Sequence, residues 1–157
     1  MINKQVFELT QEGIDKLKAE LDDLKYVQRP ANIEFLKEAR AQGDLSENAD
    51  YDSAREEQSR IEGRILEIEN ILKNVRLIEK DQSNKVSTGK HIVLTYVDLN
   101  KTFEYDLVGT IEADPLNNKI SNDSPLGKAL LGKGKGDLVT VVTESGKEHK
   151  VKINDVK

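Results

Sequence analysis

The chain has 157 residues, of which 34% are charged and 4% aromatic, and this leaves little apolar material for one large globular core. Its net charge of −5 arises in residues 1–79, which carry 12 Lys+Arg against 18 Asp+Glu, whereas residues 80–157 carry 12 against 11. The acidic half argues against nonspecific wrapping of nucleic acid, and the absence of cysteine excludes disulfides, thiolate zinc sites and a cysteine nucleophile.

Residues 1–78 have the apolar periodicity of two helices. The first carries Ile14, Leu17, Leu21 and Leu24 in steps of three and four residues. The second has a strict 3-4 alternation of Tyr51, Ala54, Gln58, Ile61, Ile65, Ile68, Leu72 and Val75. This spacing predicts the seam of a coiled coil, in which Gln58 would be the polar residue that fixes the register.

The connection between these helices predicts an antiparallel hairpin. Gly43 is placed as the residue that ends the first helix, with Lys37 and Arg40 in its last turn. Pro30 lies inside this helix and predicts a kink near Gln28–Arg29. Each arm of about 30 residues would span roughly 45 Å.

Residues 79–157 change to the short alternating runs of a small antiparallel β-sheet. Between two of these runs, "SPLGKALLG" fits a short helix with Ser124 as N-cap and Pro125 at its first position. The predicted class is therefore α+β. We expect a helical hairpin over residues 1–78 and a β-sheet domain with one short helix over residues 79–157.

The predicted turn of the hairpin, "GDLSENADY", is unusually acidic. Asp44 and Glu47 have the spacing of a capping box, and acids in a first turn complement the helix dipole. A second interpretation is a carboxylate pair for magnesium, which prefers oxygen ligands. Two carboxylates make at most half a site, so a partner would supply the remaining ligands.

Two long motifs resemble those of a known family. "RPANIEFLKEARAQGDLSENADYDSAREEQ" and "IEGRILEIENIL" resemble the N-terminal hairpin of the bacterial transcript cleavage factors called the Gre family. "ISNDSPLGKALLGKGKGD" resembles their C-terminal signature, and the turn region is more similar to the GreA branch than to GreB. The chain departs from the family at Asp50, where the GreA branch more often has Glu, and at Ser46, where some members have lysine.

The resemblance implies a transcription elongation factor that is not itself an enzyme. Such factors enter the secondary channel of backtracked RNA polymerase and stimulate the polymerase's own Mg²⁺-dependent cleavage of the extruded RNA 3′ end. The resemblance further implies an FKBP-like C-terminal domain that docks at the channel rim, and no cofactor bound by the free protein. We expect a cytoplasmic monomer with no membrane partner, since the chain has neither a signal-peptide core nor an apolar run of membrane-spanning length.

The resemblance also assigns roles by motif position. The carboxylates directed at the shared magnesium, and hence the catalytic pair, would be Asp44 and Glu47. The basic residues facing the RNA would be Arg40 and Arg55. The residues supporting the turn would be Ser46, Asn48 and Tyr51. The residues contacting the polymerase would be Asp123, Ser124 and Pro125.

Three alternative functions compete with this one. A Gre-like inhibitor would occupy the channel without stimulating cleavage, and the intact Asp44 and Glu47 pair argues against it. A peptidyl-prolyl isomerase is suggested by the implied fold alone, and only Tyr96, Phe103 and Tyr105 could line its aromatic pocket. A purely structural coiled coil does not account for the globular second half.

Overall fold

The computed structural model of the chain describes residues 5–43 and 48–157. They form two units, which we call the hairpin unit (Ile14–Val75, with Gln5 and Val6) and the sheet unit (Phe7–Gly13 with Arg76–Lys157). The sequence placed Phe7–Gly13 in the N-terminal domain, and the structure groups this segment with the sheet unit. The predicted boundary between residues 78 and 79 stays a prediction. Among the described residues, no helix is both long and apolar enough to cross a membrane.

Three α-helices and one π-helical turn make up most of the hairpin unit. They are α1 (Gln11–Asp23), the π turn (Leu24–Gln28), α2 (Arg29–Ala41) and α3 (Ala49–Lys73). Their buried apolar face consists of Ile14, Leu17, Leu24, Leu36, Ala39, Ala54, Ile61, Ile65, Ile68 and Ile71. The predicted helical hairpin is confirmed. At its base, Ile71 is buried and the predicted seam residue Leu72 is half-buried.

The π turn lies directly before Pro30, where the sequence predicts an irregularity. Proline has no backbone N–H, and its ring clashes with the carbonyl four residues earlier. The chain widens there, because the amide of Arg29 donates to the carbonyl of Leu24, five residues back. The interruption therefore takes the form of a π turn, and α2 begins one residue before the proline.

The polar residue buried in the hairpin is Asn32 on α2, which is 7% exposed. Its Nδ2 donates to the carbonyl of Ala54 on α3 at 3.0 Å. The sequence assigned this position to Gln58, but Gln58 is half-buried and its Oε1 accepts a hydrogen bond from Arg55 instead. The prediction missed Asn32 because this residue is on α2, outside the 3-4 pattern of α3 from which the seam was predicted.

Charged side chains join the two arms along their length. Lys25 pairs with Glu69 at 2.6 Å. Arg29 forms two hydrogen bonds with Glu62, at 2.7 and 2.8 Å. Arg64 likewise donates twice to Glu20, at 2.6 and 2.9 Å. Two parallel bonds from one guanidinium add geometric specificity as well as energy, so these pairs help to set the register of the hairpin.

The sheet unit contains a two-stranded and a five-stranded sheet. The small sheet pairs β1 (Phe7–Leu9) with β2 (Val75–Leu77). The large sheet has the order β5-β4-β3-β7-β6. Its strands are β3 (His91–Tyr96), β4 (Lys101–Val108), β5 (Lys119–Ser121), β6 (Leu138–Val142) and β7 (Glu148–Val156). The predicted fold class is confirmed, with the difference that short β5 runs parallel to β4 and makes the sheet mixed.

One short helix, α4 (Pro125–Leu130), belongs to the same core as the large sheet. The buried core residues are Val86, Ile92, Leu94, Leu107, Leu130, Val139, Val141, Val151 and Ile153. Gly127 in α4 lies so close to the chain that a Cβ atom there would be 2.1 Å from the carbonyl oxygen of Ser121. The glycine therefore permits α4 to lie directly against the end of β5.

Candidate functional site

The ends of α2 and α3 frame the acidic turn. Helix α2 ends at Ala41, and Gly43 follows with a φ of +115°, a conformation that L-residues with side chains avoid. The predicted helix end at Gly43 is thus confirmed. Asp44, Ser46 and Glu47 lie outside the described residues, so the roles assigned to them stay predictions.

Asn48 joins the two helices at this turn. Its Oδ1 accepts a hydrogen bond from the amide of Tyr51 at 3.1 Å, which makes it the N-cap of α3. Its Nδ2 donates to the carbonyl of Ala39 in the last turn of α2 at 2.6 Å. One amide side chain therefore caps α3 and also binds the end of α2.

The start of α3 changes the interpretation of the acidic residues. The helix begins at Ala49 with Asn48 as its N-cap, and the capping box expected from Asp44 and Glu47 lies outside the described residues. Asp50 and Asp52 both lie in the first turn of α3, where negative charge favours the positive end of the helix dipole.

Farther along α3, Glu57 belongs to a pair on the helix surface. Its carboxylate accepts hydrogen bonds from Arg60 at 2.6 and 2.9 Å. These bonds lower the pKa of Glu57 below its ordinary value. Glu57 therefore has a structural partner on its own helix.

The two basic residues predicted near the turn are both exposed. Arg40 places its guanidinium carbon 5.9 Å from the ring centroid of Tyr51, a distance at which a cation and an aromatic ring attract each other. Arg55 donates to Gln58 within α3 at 3.1 Å. Arg40 and Tyr51 therefore contact each other close to Asn48, whereas Arg55 lies one turn farther along α3.

In the sheet unit, the three residues predicted to bind the polymerase precede or begin α4. Asp123 and Pro125 are exposed. Ser124 is the N-cap of α4: its Oγ accepts from the amide of Gly127 at 3.0 Å and donates to the carbonyl of Ser121 at 2.6 Å. The Ser124 hydroxyl is thus fully engaged in shaping the loop.

Thr110 is a residue at this loop that sequence reasoning missed. Its Oγ1 donates to Oδ2 of Asp123 at 3.2 Å, while the amide of Asp123 donates to Oγ of Ser121 at 3.0 Å. Ser121 stands two residues before Asp123, and serine side chains often bond to a backbone amide at this spacing. The bond between Ser121 and Asp123 could therefore have been predicted from the sequence. Thr110 is distant in sequence and has no such signal.

Two family descriptions match nearly the whole chain. "Transcription elongation factor, N-terminal" matches residues 7–77, and "Transcription elongation factor, GreA/GreB, C-term" matches residues 81–157. The chain belongs to the GreA/GreB family of transcription elongation factors. The predicted membership of the Gre family is therefore confirmed.

Curated relatives of this GreA/GreB chain carry the name transcription elongation factor GreA. The protein from Acholeplasma laidlawii is 58% identical over 157 residues, which is 99% of each chain. The one from Bacillus licheniformis is 48% identical over 155 residues, or 98% of each. These identities also confirm the GreA branch.

Among solved structures, the GreA/GreB chain matches the crystal structure of GreA factor homolog 1 (Gfh1) of Thermus thermophilus. The two are 26% identical with a TM-score of 0.45, and the match covers 98% of this chain and 99% of the other. A structure titled GreA/GreB from Nitrosomonas europaea is 17% identical with a TM-score of 0.43, over 98% of both chains.

Among the described residues of this family member, no group of three His, Cys, Asp or Glu side chains could hold a metal ion. The expected pair, Asp44 and Glu47, lies outside those residues. The chemistry of this donor set still fits magnesium, since both side chains offer carboxylate oxygens and the pair leaves coordination positions for other ligands.

Proposed function

We propose that this chain stimulates cleavage of the RNA 3′ end by backtracked RNA polymerase and so rescues arrested transcription. The observation that carries the proposal is the 58% identity to a GreA factor over nearly the full length of both chains. In this function the chain has no hydrolytic activity of its own. The polymerase supplies the active site, and the chain reaches it through the secondary channel.

The proposed working end is the turn between α2 and α3. A helix start needs its first amides capped, and Asn48 already provides the side-chain cap of α3. The dipole of α3 is complemented by Asp50 and Asp52. Asp44 and Glu47 are therefore not required to stabilise the helix start, which supports a role for this pair outside the fold.

In the mechanism that we propose, Asp44 and Glu47 present carboxylate oxygens to a magnesium ion shared with the polymerase. When bound, this ion would lower the pKa of an attacking water and neutralise charge on the cleaved phosphodiester. Asn48 holds the start of α3 against the end of α2 and so fixes the two helix ends on either side of the turn. Two carboxylates in water bind magnesium weakly, so we expect the ion to be held only in the complex.

Basic residues beside the turn would contact the extruded RNA. Arg40 and Arg55 are both exposed, and a guanidinium pairs well with phosphate oxygens. Tyr51 lies under the guanidinium of Arg40 and would limit its freedom. Ser46, within the turn, would support its shape.

The loop before α4 is the proposed contact with the channel rim of the polymerase. Asp123 and Pro125 are exposed there, and Thr110 and Ser121 hold Asp123 in place. Ser124 would act through the shape of the loop, since its hydroxyl is engaged with Ser121 and Gly127. We further propose that the chain acts as a monomer in the cytoplasm. The proposed boundary between its two domains lies along the sequence near residue 79.

The deciding experiment measures RNA cleavage in a stalled, backtracked polymerase complex. Asp44→Asn should reduce the maximal cleavage rate at saturating factor by at least about tenfold, because it removes one of two metal-directed charges. Asp50→Asn is the matched control, since Asp50 lies in the first turn of α3. The control should keep near-normal stimulation. Equal stimulation by Asp44→Asn and the unchanged protein would contradict the metal role.

A further inference from the structure

A second charged site lies in the sheet unit, in a cavity of about 360 Å³. The segment 80–84 forms one side of it, and Lys90, Val156 and Lys157 form the rest. Because about 10–15 Å³ of such space is enough for one water molecule, the cavity has room for a phosphate group. None of the residues predicted for the function lines the cavity.

Lys90 is the unusual residue in this cavity, because it is a lysine only 3% exposed. Its Nζ donates to the carbonyl of Ser83 and, at 2.8 Å, to that of Lys85. No ion pair joins it to a carboxylate of the described residues within 4.0 Å. A buried ammonium group is costly unless it is paired, and two carbonyls satisfy only two of its three N–H donors.

The surrounding charges add to that of Lys90. Lys80 and Lys157 also line the cavity, together with the carboxylate of Asp81. The charge of Lys157 is partly offset by Asp155, whose Oδ2 lies 3.7 Å from the Lys157 Nζ. Asp81 is engaged locally, because Ser83 donates to it through its amide at 2.8 Å and its hydroxyl at 2.5 Å. Backbone bonds in both directions between His91 and Lys157, each of 2.9 Å, fix the position of Lys157.

We infer that this cavity binds a phosphate group between Lys80, Lys90 and Lys157. The buried ammonium of Lys90 supplies a fixed charge, and Lys80 and Lys157 supply further positive charge from the lining of the cavity. A phosphate oxygen would accept the third N–H of Lys90, whose ammonium forms no direct ion pair with a carboxylate of the described residues, although its charge attracts the nearby carboxylate of Asp81. The phosphate could be a free one, that of a nucleotide or that of an RNA backbone.

The test is a titration of the ¹⁵N-labelled full chain with inorganic phosphate at constant ionic strength, followed by amide chemical shifts. We expect saturable shifts confined to residues 80–84, 90–91 and 156–157. The double variant Lys80→Gln/Lys157→Gln should weaken binding at least about tenfold, since hydrogen bonds to charged groups are among the stronger ones. This double variant leaves Lys90 in place, so the carbonyls of Ser83 and Lys85 keep their hydrogen-bond donor.

Lys101→Gln/Lys147→Gln is the matched control, because it changes the net charge equally at two exposed positions outside the cavity. Absence of saturable shifts, or equal weakening in both double variants, would overturn the inference. Parallel titrations with adenosine monophosphate and a short single-stranded RNA identify the source. Equal affinities indicate that the phosphate group alone is recognised, and tighter binding of RNA that depends on Lys80 and Lys157 indicates its backbone. The assay contains no polymerase, so its outcome does not depend on the proposed function.

Discussion

Asn48 shows how much one side chain contributes at the turn of the hairpin. Its carbonyl oxygen caps α3, and its amide nitrogen binds the carbonyl of Ala39 at the end of α2. The Tyr51 amide is among the first N–H groups of α3, which have no partner within the helix. The Ala39 carbonyl also accepts a longer bond of 3.4 Å from the amide of Gln42. The residue therefore connects the stability of α3 with the geometry of the acidic turn.

Asn48→Ala should lower the free energy of unfolding by about 1–2 kcal/mol, because it removes an N-cap and also the short hydrogen bond to the Ala39 carbonyl. Urea unfolding followed by far-UV circular dichroism measures this change. Asn48→Ser keeps a capping oxygen but is too short to reach Ala39, so we expect a smaller loss. An alanine variant as stable as the unchanged chain would show that the cap is not needed.

Tyr96 is a second residue whose environment gives it a measurable property. Burial and, next, the neighbouring Tyr105 raise its pKa from 10.0 to about 12. The ring also meets Phe103 edge-on, at 5.4 Å between centroids. The folded state thus favours the neutral phenol.

An alkaline titration of phenolate absorbance should contain a late phase near pH 12 from Tyr96. The raised pKa of Tyr96 contributes to the stability of the folded state. This contribution is fully present below pH 10 and is lost as the pH rises from 10 towards 12. Tyr96→Phe should remove the late phase. Tyr26→Phe changes a tyrosine that is 74% exposed, so it should leave the late phase unchanged. A late phase that persists in Tyr96→Phe would refute the assignment to Tyr96.

At the scale of elements, the hairpin is held by apolar contacts and by the ion pairs between its arms. Glu20, Glu62 and Glu69 each have a lowered pKa, caused first by hydrogen bonds from Arg64, Arg29 and Lys25 respectively. A lowered carboxylate pKa stabilises the folded state above the unfolded value of 4.5. This stability is lost as the pH falls below 4.5 through the folded pKa.

The hairpin should therefore lose helix stability on acidification below pH 4.5, measured as the urea midpoint of ellipticity. Most helical residues of the described chain are in α1, α2 and α3, so this signal reports the hairpin. Glu62→Gln should make the loss of stability on acidification smaller, because it removes one carboxylate with a lowered pKa. Glu34→Gln, at an exposed residue paired with Lys37 on its own helix, should reproduce the original pH dependence. Identical acid profiles for Glu62→Gln and the unchanged chain would contradict this account.

At the scale of the whole molecule, the proposed activity divides between two places in the chain. The acidic turn of the hairpin unit would act on the chemistry of cleavage, and the loop before α4 would hold the polymerase. Rim charges at interfaces mainly affect association, whereas groups at a reacting centre affect the rate. The two contributions can be separated by varying the factor concentration.

Asp123→Asn should raise the factor concentration for half-maximal cleavage by about three- to tenfold and leave the maximal rate unchanged, because it weakens docking only. Asp44→Asn should show the reverse pattern. Glu144→Gln, an equal change of charge at an exposed residue of the sheet unit, should alter neither quantity. A reduced maximal rate in Asp123→Asn would place this residue in the reaction rather than in docking.

Features encoded in short stretches were predictable from the sequence. The hairpin followed from the 3-4 periodicity, the end of α2 from Gly43, and α4 from Ser124 and Pro125. Features that join distant positions were not predictable. Asn32 was missed because it lies outside the periodic pattern of α3, and Thr110 because its bond to Asp123 spans 13 positions.

The sequence by itself determined the family, the two structural classes of the halves and the placement of acidic residues at one turn. Each of these depends on local spacing or on a contiguous motif. Only the tertiary structure decided that Asn48 caps α3, that Asn32 is the buried amide and that Lys90 lies beneath the segment 83–85. The physical reason is that burial and hydrogen bonding depend on which groups the folded chain brings together, and neighbours in the sequence do not specify that.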